Sequence, residues 1–229
     1  MNENGRVVLA ILGGTGNLGY GLARRWMLSG SEVIIGSRTT DKAEAAAAEL
    51  RELAAARGNP TAKITGTDNV TAAHSADIVA LTVPFTHQVA ILTQIKTALQ
   101  GKILIDTTVP LVPPRVAKVQ LPAEGSAALI AQQLLGDGVK VVSAFQNVAA
   151  DLLRSDDILD CDVLVCGNNK DAREQVVKLA AAAGMRGFHA GSLDNAVAAE
   201  ALTSVLIFIN KYYNGHAGIR LTGVAGKES

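Results

Sequence analysis

The sequence predicts an α/β fold, in which a doubly wound parallel sheet is followed by a small C-terminal α/β domain that ends in a long apolar helix. Three observations predict it. Short apolar runs, of which residues 7–12 are the first, alternate with segments of helical periodicity, as is typical of βαβ units. A glycine-rich turn separates the first run from the first helical segment. Of the 229 residues, 48% are hydrophobic, which is enough for one large core.

Residues 13–19 read GGTGNLG and lie between a predicted buried strand and a predicted helix. In this context a GxGxxG pattern indicates a dinucleotide-binding turn. We expect Gly14 to permit the tight turn, Gly16 to let the backbone approach a pyrophosphate, and Gly19 to let the helix pack close to the strand. Free N–H groups at the start of the helix then face the phosphates.

The end of the second predicted strand, residues 32–36, indicates which dinucleotide is bound. A carboxylate at this point is typical of NAD sites, but here Ser37 and Arg38 follow the strand. A guanidinium binds a phosphate with two parallel hydrogen bonds, so the sequence favours NADP. Asp41 is expected to cap the next helix, and Lys42 in its first turn opposes the helix dipole unless a phosphate lies nearby. The alternative is that both cations are solvated surface residues.

Four further strands complete the predicted nucleotide-binding layer. The strands cover residues 63–66, 77–83, 102–105 and 139–145, and intervening helices cover 43–56, 69–74 and 126–135. One strand and one crossover follow each other along the chain, which favours a doubly wound sheet.

Ligands of such sheets bind beyond the carboxyl ends of the strands, so residues that leave the strands there are site candidates. Val83 ends the fourth strand, and Thr86 is expected to cap a helix with His87 in its first turn. His87 either donates to a phosphate or ribose, or is a solvated surface residue. Gln146 and Asn147 leave the sixth strand and offer uncharged amides, although Asn147 is alternatively a helix cap.

A long loop follows the fifth strand and contains prolines at positions 110, 113, 114 and 122. A loop of that length in a compact domain is usually functional. Its cations, Arg115 and Lys118, either face an anionic ligand or are solvated.

The chain beyond the sixth strand is predicted to contain strands at 162–166 and 186–189, a helix at 171–182 and a last helix at 195–213. We therefore expect an NADP-binding domain over residues 1–146 and a small C-terminal domain over residues 147–229. The last helix is apolar nearly all round, apart from a thin stripe of Glu200, Ser204 and Lys211. Such a helix needs burial on more than one side, and a second copy of the chain is its expected cover.

Composition argues against several classes of function. The 21 basic and 21 acidic residues cancel, which argues against a nucleic acid or an anionic membrane as the main partner. Cys161 and Cys166 lie close together without a neighbouring His or further Cys, so we expect core residues and no metal site. Residues 1–5 lack an apolar signal segment, so we expect a cytoplasmic protein.

The residues that the chain lacks limit the chemistry. A nicotinamide cofactor implies hydride transfer, but the sequence contains no Tyr-x-x-x-Lys pair for the oxidation of an alcohol. About 80 residues follow the sixth strand, which is little for a separate substrate domain. These features favour a second redox cofactor as reaction partner, because proximity and orientation then supply most of the catalysis. Two alternatives stay open: an NADP-dependent reductase of a small imine or carbonyl compound, and an NADP-binding sensor without turnover.

Four motifs together resemble the coenzyme F420-dependent NADP reductases. They are GGTGNLG at 13–19, GSR at 36–38 with KAEA at 42–45, TVPF at 82–85 and VSAF at 142–145. The resemblance runs from about residue 7 to about residue 222. It implies a Rossmann domain and a small C-terminal dimerising domain, with NADP and F420 held face to face between them for hydride transfer.

The resemblance also implies a set of cofactor-binding residues and no catalytic one. It assigns Thr15, Gly16, Asn17 and Leu18 to the pyrophosphate, Ser37, Arg38 and Lys42 to the 2′-phosphate, and Val83, His87, Val109, Val148 and Ala150 to the nicotinamide half. The tail at 215–220, which includes Ala217, is expected to close the F420 side. Family members carry a His where this chain has Gln146, which cannot carry a proton but can hydrogen-bond to the deazaflavin.

Overall fold

The structure, a computed structural model, describes residues 7–224. The strands are β1 (Val8–Leu12), β2 (Glu32–Ser37), β3 (Ile64–Asp68), β4 (Ile78–Leu81), β5 (Ile103–Asp106), β6 (Lys140–Ser143), β7 (Asp162–Gly167) and β8 (Arg186–His189). The helices are α1 (Asn17–Leu28), α2 (Thr40–Ala56), α3 (Asn69–Ser75), α4 (Phe85–Ile95), α5 (Ala127–Leu135), α6 (Lys170–Ala182) and α7 (Ala196–Tyr213). The expectation about a signal segment in residues 1–5 lies outside the described residues.

The strands form one sheet in the order β3-β2-β1-β4-β5-β6-β7-β8. Strands β1 to β6 are parallel, β7 is antiparallel to β6, and β8 is parallel to β7. Strand order reverses between β1 and β4, which is the switch point of a doubly wound Rossmann sheet, so the predicted fold class is confirmed. The C-terminal strands extend this sheet, and the division of the chain after residue 146 stays a prediction.

The apolar core covers both faces of the sheet and joins its two ends. Trp26 of α1 is fully buried, and its Nε1–H donates to the carbonyl oxygen of Leu179 in α6 (2.8 Å). Its ring meets the ring of Phe145 edge to face, with centroids 5.8 Å apart. Cys161 and Cys166 are buried and unpaired, as expected from the sequence. Trp26 therefore connects the first helix to the C-terminal part of the chain.

Helix α7 buries a different face from the one that its sequence suggests. Glu200 and Ser204, members of the predicted polar stripe, face the domain and are buried. The outward face is apolar, with exposed fractions of 44%, 56%, 70% and 74% for Val205, Phe208, Tyr212 and Tyr213. Glu200 turns inward because its carboxylate accepts two backbone N–H groups of α5 there. The apolar positions are left without cover in the single chain.

Within residues 7–224, the helical segment Leu193–Tyr213 is long and apolar enough to cross a membrane, judged by length and composition alone. Its buried residues, however, pack against α5, β7 and the rest of the α/β fold. A carboxylate in the middle of the segment is paired with backbone N–H groups of α5. The packing is that of a core helix with one open face.

Two helix starts differ from the prediction. Helix α2 begins at Thr40 with Thr39 as its N-cap, so Asp41 lies in the first turn and does not cap it. Helix α4 has Pro84 as its N-cap, so Thr86 lies inside the first turn. Proline suits this entry because its φ is restricted by the ring.

Candidate active site

The glycine turn between β1 and α1 is tied to strand β2. The N–H groups of Gly13 and Gly14 both donate to the carbonyl oxygen of Gly36 (3.0 and 3.1 Å). Gly13 has a φ of 77° and supplies the left-handed residue of the turn, while a Cβ at Gly14 would lie 2.8 Å from the carbonyl oxygen of Ile11, so the tight turn also needs glycine there. A Cβ at Gly19 would lie 2.8 Å from the carbonyl oxygen of Gly13, so only glycine allows this packing of α1. Among the described residues, a Cβ at Gly16 would meet only that carbonyl, at 3.3 Å.

A cleft of about 520 Å³ lies beyond the carboxyl ends of the central strands. Its lining residues come from the glycine turn, from the ends of β4, β5 and β6, and from the loop after β5. They are Gly16, Asn17, Leu18, Thr82, Val83, Pro84, Phe85, Thr86, Thr107, Thr108, Val109, Leu111, Pro113, Val116, Phe145, Gln146, Val148 and Ala150. None of these lining residues is ionisable. The cleft can therefore bind and orient flat, uncharged groups, but its lining offers no side chain for acid–base chemistry.

The cleft brings together most of the residues predicted from the sequence. Gly16, Asn17, Leu18, Val83, Val109, Gln146, Val148 and Ala150 line it. Thr15 is exposed in the glycine turn next to them. His87 is exposed in the first turn of α4 and is not among the lining residues. Ala217 also lies outside the lining, in the C-terminal tail, where its N–H donates to Oδ1 of Asn210.

Two cations follow strand β2. Ser37 is buried at the end of the strand, whereas Arg38 and Lys42 are exposed on the loop that follows and in the first turn of α2. Within the described part of the chain, neither cation has an ion-pair partner. Both are therefore available to an anionic ligand.

The side chain of Gln146 is held in one orientation at the floor of the cleft. Its Nε2 donates to the carbonyl oxygen of Asp106 (2.9 Å) and to Oγ of Ser143 (2.8 Å). A backbone carbonyl can only accept, so this orientation leaves Oε1 as an acceptor. Oε1 has no partner among the described residues, although Gln146 is only 7% exposed. Buried acceptors are normally satisfied, so Oε1 is suited to an N–H group of a ligand.

The residue before Gln146 has an unusual backbone conformation. Phe145 has a φ of 70° and is 1% exposed, and a left-handed conformation is uncommon for an aromatic residue. Packing of its ring against Trp26 holds it in place. The carbonyl oxygen of Gln146 also accepts from Oγ1 of Thr203 in α7 (3.1 Å). The turn that presents Gln146 is thus supported from both α1 and α7.

Two buried carboxylates, neither of which lines the cleft, were not identified from the sequence. Asp106 accepts the N–H and hydroxyl of Thr108 (2.9 and 2.7 Å) and the Nε2 of Gln88 (2.6 Å), and burial raises its pKa. Glu200 accepts the first two N–H groups of α5 (2.7 and 3.1 Å), and burial raises its pKa to about 8. Asp106 could have been identified from the sequence, because it is a carboxylate at the end of a buried strand. The sequence carries no comparable signal for Glu200.

Residues 8–110 match the family model of coenzyme F420-dependent NADP oxidoreductases. An F420-dependent NADP reductase of Methanocaldococcus jannaschii is 40% identical over 222 residues, covering 94% of this chain and 98% of that protein. An F420-dependent NADP reductase of Methanothermobacter marburgensis is 41% identical over 224 residues, again covering 94% of this chain and 98% of that protein.

Solved structures agree on the fold. A protein from Arthrobacter sp. FB24, solved as a proposed F420-dependent NADP reductase, has a TM-score of 0.73 at 24% identity and covers 95% of this chain and 100% of its own. An imine reductase from Myxococcus stipitatus, solved with NAD+, has a TM-score of 0.58 at 19% identity and covers 91% of this chain and 62% of its own. At these identities the likeness bears on the fold alone.

Proposed function

The chain belongs to the family of F420-dependent NADP reductases, and from this membership we infer that it transfers a hydride directly between NADP(H) and coenzyme F420. The observation that carries this conclusion is the identity of 40% and 41% to two such reductases over nearly their full length. The protein is therefore an oxidoreductase with two small-molecule cofactors as substrates. When bound, the nicotinamide and deazaflavin rings supply the redox chemistry, and the protein positions them.

We propose that the glycine turn holds the pyrophosphate of NADP through Thr15, Gly16, Asn17 and Leu18. Backbone N–H groups at the start of α1 are free to donate to phosphate oxygens. The open side of Gly16 supports this placement, because the lack of a Cβ lets an anion approach the backbone.

The 2′-phosphate is assigned to Ser37, Arg38 and Lys42. Support comes from the two exposed cations at the end of β2, which have no ion pair within the described residues. A phosphate between Lys42 and the start of α2 also offsets the unfavourable position of this cation in the helix dipole. The enzyme accordingly prefers NADP to NAD.

For the nicotinamide half we propose apolar walls formed by Val83, Val109, Val148 and Ala150. His87 is assigned to the rim of this half, from the first turn of α4, and Ala217 to the F420 side. Enclosure between such walls excludes water and holds the two rings in the close contact that hydride transfer needs.

Gln146 is assigned to the deazaflavin. Its unpartnered Oε1 accepts an N–H at the pyrimidine edge of that ring. This hydrogen bond fixes the orientation of the ring relative to the nicotinamide. Reduction of F420 adds one proton together with the hydride, and the reverse reaction releases one. Because the lining residues of the cleft are not ionisable, this proton is exchanged with water.

We further propose a cytoplasmic homodimer without nucleic-acid or membrane partners. The exposed apolar face of α7, formed by Val205, Phe208, Tyr212 and Tyr213, supports a second copy as its cover. The balance of 21 basic and 21 acidic residues supports the absence of polyanionic partners.

Mixing the purified protein with NADPH and oxidised F420 tests this function. We expect the visible absorption band of the deazaflavin to bleach with one NADPH oxidised per F420 reduced. An imine or carbonyl reductase would oxidise NADPH only with such a compound, and a sensor would bind NADPH and leave the band unchanged. Either result would refute the proposed function.

The variant Arg38→Ser tests the assignment of the 2′-phosphate. Loss of a guanidinium–phosphate pair is expected to raise the KM for NADPH about 10- to 100-fold and to change the KM for F420 little. Lys140→Ser is the matched control, because Lys140 is exposed at the start of β6, at the opposite end of the parallel strands from the cleft. An equal rise in both KM values would contradict the assignment.

A further inference from the structure

The loop between β5 and α5, residues 107–125, forms one wall of the cleft, and we call it the proline loop. Its apolar residues Val109, Leu111, Pro113 and Val116 line the cleft. Successive turns shape the backbone behind them, since the N–H of Arg115 donates to Val112 (3.1 Å) and the N–H of Lys118 donates to Arg115 (3.0 Å). The Nε2 of Gln120 reaches the same two carbonyls. The wall therefore has a defined shape.

Two cations of the proline loop stand beside this apolar wall. Arg115 and Lys118 are exposed, and within residues 7–224 neither has an ion-pair partner. Arg115 lies in the sequence between Pro113 and Val116, both of which line the cleft, so its backbone belongs to the segment that forms the wall. The loop contains a single acidic residue, Glu124, so its charge is net positive.

These cations are separate from those assigned to NADP. In the sheet order, β1 and β4 lie between β2, which carries Arg38, and β5, which leads into the proline loop. With strands about 4.8 Å apart, the two strand ends are about 14 Å from each other. The two groups of cations thus stand on segments that follow different strands of the sheet, and we assign them to different anions.

Resting on the proposed function, we propose that Arg115 and Lys118 bind the anionic tail of F420. The deazaflavin ring suits an apolar cleft, but the side chain of F420 carries a phosphodiester and glutamate carboxylates. No residue that lines the cleft can pair with these charges. The proline loop offers two unpaired cations at the point where a ligand seated in the cleft emerges into solvent, and charge-assisted hydrogen bonds there hold the tail.

The test compares F420 with a deazaflavin that ends at its ribityl chain and so lacks the phosphate and the glutamates. We expect the double variant Arg115→Ser, Lys118→Ser to raise the KM for F420 about tenfold with little change in kcat or in the KM for NADPH. The preference in kcat/KM for F420 over the tail-less deazaflavin falls by the same factor. Arg115→Lys retains most of the preference, because it keeps the charge.

Lys96→Ser is the matched control, since Lys96 is exposed at the C-terminal end of α4, the end away from the cleft. It removes one positive charge and is expected to leave the preference unchanged. Higher ionic strength is expected to raise the KM for F420 in the unaltered protein and less so in the double variant.

An equal effect of the double variant on both deazaflavins, or no effect on either, would overturn the inference. So would a rise confined to the KM for NADPH. If the unaltered protein reduces neither deazaflavin, the proposed function itself fails, which is a different result. A deazaflavin with the phosphate but no glutamates separates the two anions: full preference for it assigns the cations to the phosphate, and partial preference assigns them also to the carboxylates.

Discussion

Glu200 of α7 accepts the backbone N–H of Ala127, the first residue of α5, at 2.7 Å. The bond links the last long helix to the end of the proline loop, 73 residues earlier in the chain. Asp106 lies close enough to help raise the pKa of Glu200, and its neighbour Thr108 lines the cleft. A buried acidic pair thus stands between α7 and the floor of the cleft.

The raised pKa of Glu200 predicts a loss of stability as pH rises. The carboxyl titrates near its ordinary value of 4.5 in the unfolded chain and at about 8 in the folded one, because burial disfavours its charged form. Its contribution is therefore fully present below about pH 4.5 and is lost as pH rises to about 8. A shift of this size bounds the loss at about 5 kcal/mol.

Comparison with the Glu200→Gln variant tests this dependence of the free energy of unfolding on pH. Urea unfolding between pH 5 and 8 is expected to show the unaltered protein losing stability relative to the variant, which cannot ionise at this position. Asp106 is present in both proteins, but its charge interacts with that of Glu200, so the difference between the two pH profiles reports the titration of Glu200 together with its effect on Asp106. Parallel pH profiles would show that Glu200 stays ionised throughout.

Alanine substitutions at two glycines of the turn are expected to have different effects, one on stability and the other on the affinity for NADPH. Gly19→Ala places a methyl group against the backbone of Gly13 and should lower the free energy of unfolding by about 1–3 kcal/mol. Gly16→Ala meets open space on its other side, so stability should change by less than about 0.5 kcal/mol while the affinity for NADPH falls about tenfold. Denaturant unfolding and calorimetry with NADPH measure the two effects. The same loss of stability in both variants would contradict the distinct roles.

Gln146→Met is expected to weaken the use of F420 more than the binding of NADPH. The substitution keeps the size of the side chain but removes the free acceptor, so kcat/KM for F420 should fall about 10- to 100-fold. Ser143→Ala removes only one of the two bonds that orient Gln146, so a smaller fall is expected. Calorimetry should find the affinity for NADPH unchanged. A matching loss of NADPH affinity would place the acceptor against the nicotinamide instead.

Phe208→Asp is expected to convert the proposed dimer into monomers. Phe208 is 56% exposed in the single chain, so a charge there does not disturb the core but does oppose the burial of this face by a partner. Light scattering measures the change in mass, and Tyr213→Asp should act in the same direction. Lys211→Ser on the same helix is the control, with the mass expected to stay that of a dimer.

The nucleotide-binding half of the fold could be predicted because its signals are local. Each buried strand is a short apolar run, and the glycine turn is bounded by a strand and a helix, as the match of residues 8–110 to the family confirms. The turn needs both glycines: Gly13 has the positive φ, and a Cβ at Gly14 would lie 2.8 Å from the carbonyl oxygen of Ile11. The left-handed conformation of Gly13 and the bonds from both glycines to Gly36 on another strand have no signal in the local sequence.

The orientation of α7 could not be predicted because it depends on distant partners. A polar stripe on an apolar helix normally faces water, but here Glu200 finds the unpaired N–H groups of α5. The same holds for Gln146. Its residue type indicated a hydrogen bond, whereas its unpartnered Oε1 follows from two bonds to Asp106 and Ser143 that only the folded sheet brings within reach.

The antiparallel run of β7 has a practical consequence for work with the purified protein. The start of β7 extends past the end of β6 on the cleft side, and Asp162 there holds the tail through the N–H of Leu221 (2.6 Å). The described tail, up to residue 224, is therefore anchored on the cleft side of the sheet, and a fluorescent label attached within it is expected to lie on that side. Strand β1 begins at the opposite ends of the parallel strands, away from the cleft, so a label near residue 7 is the better choice.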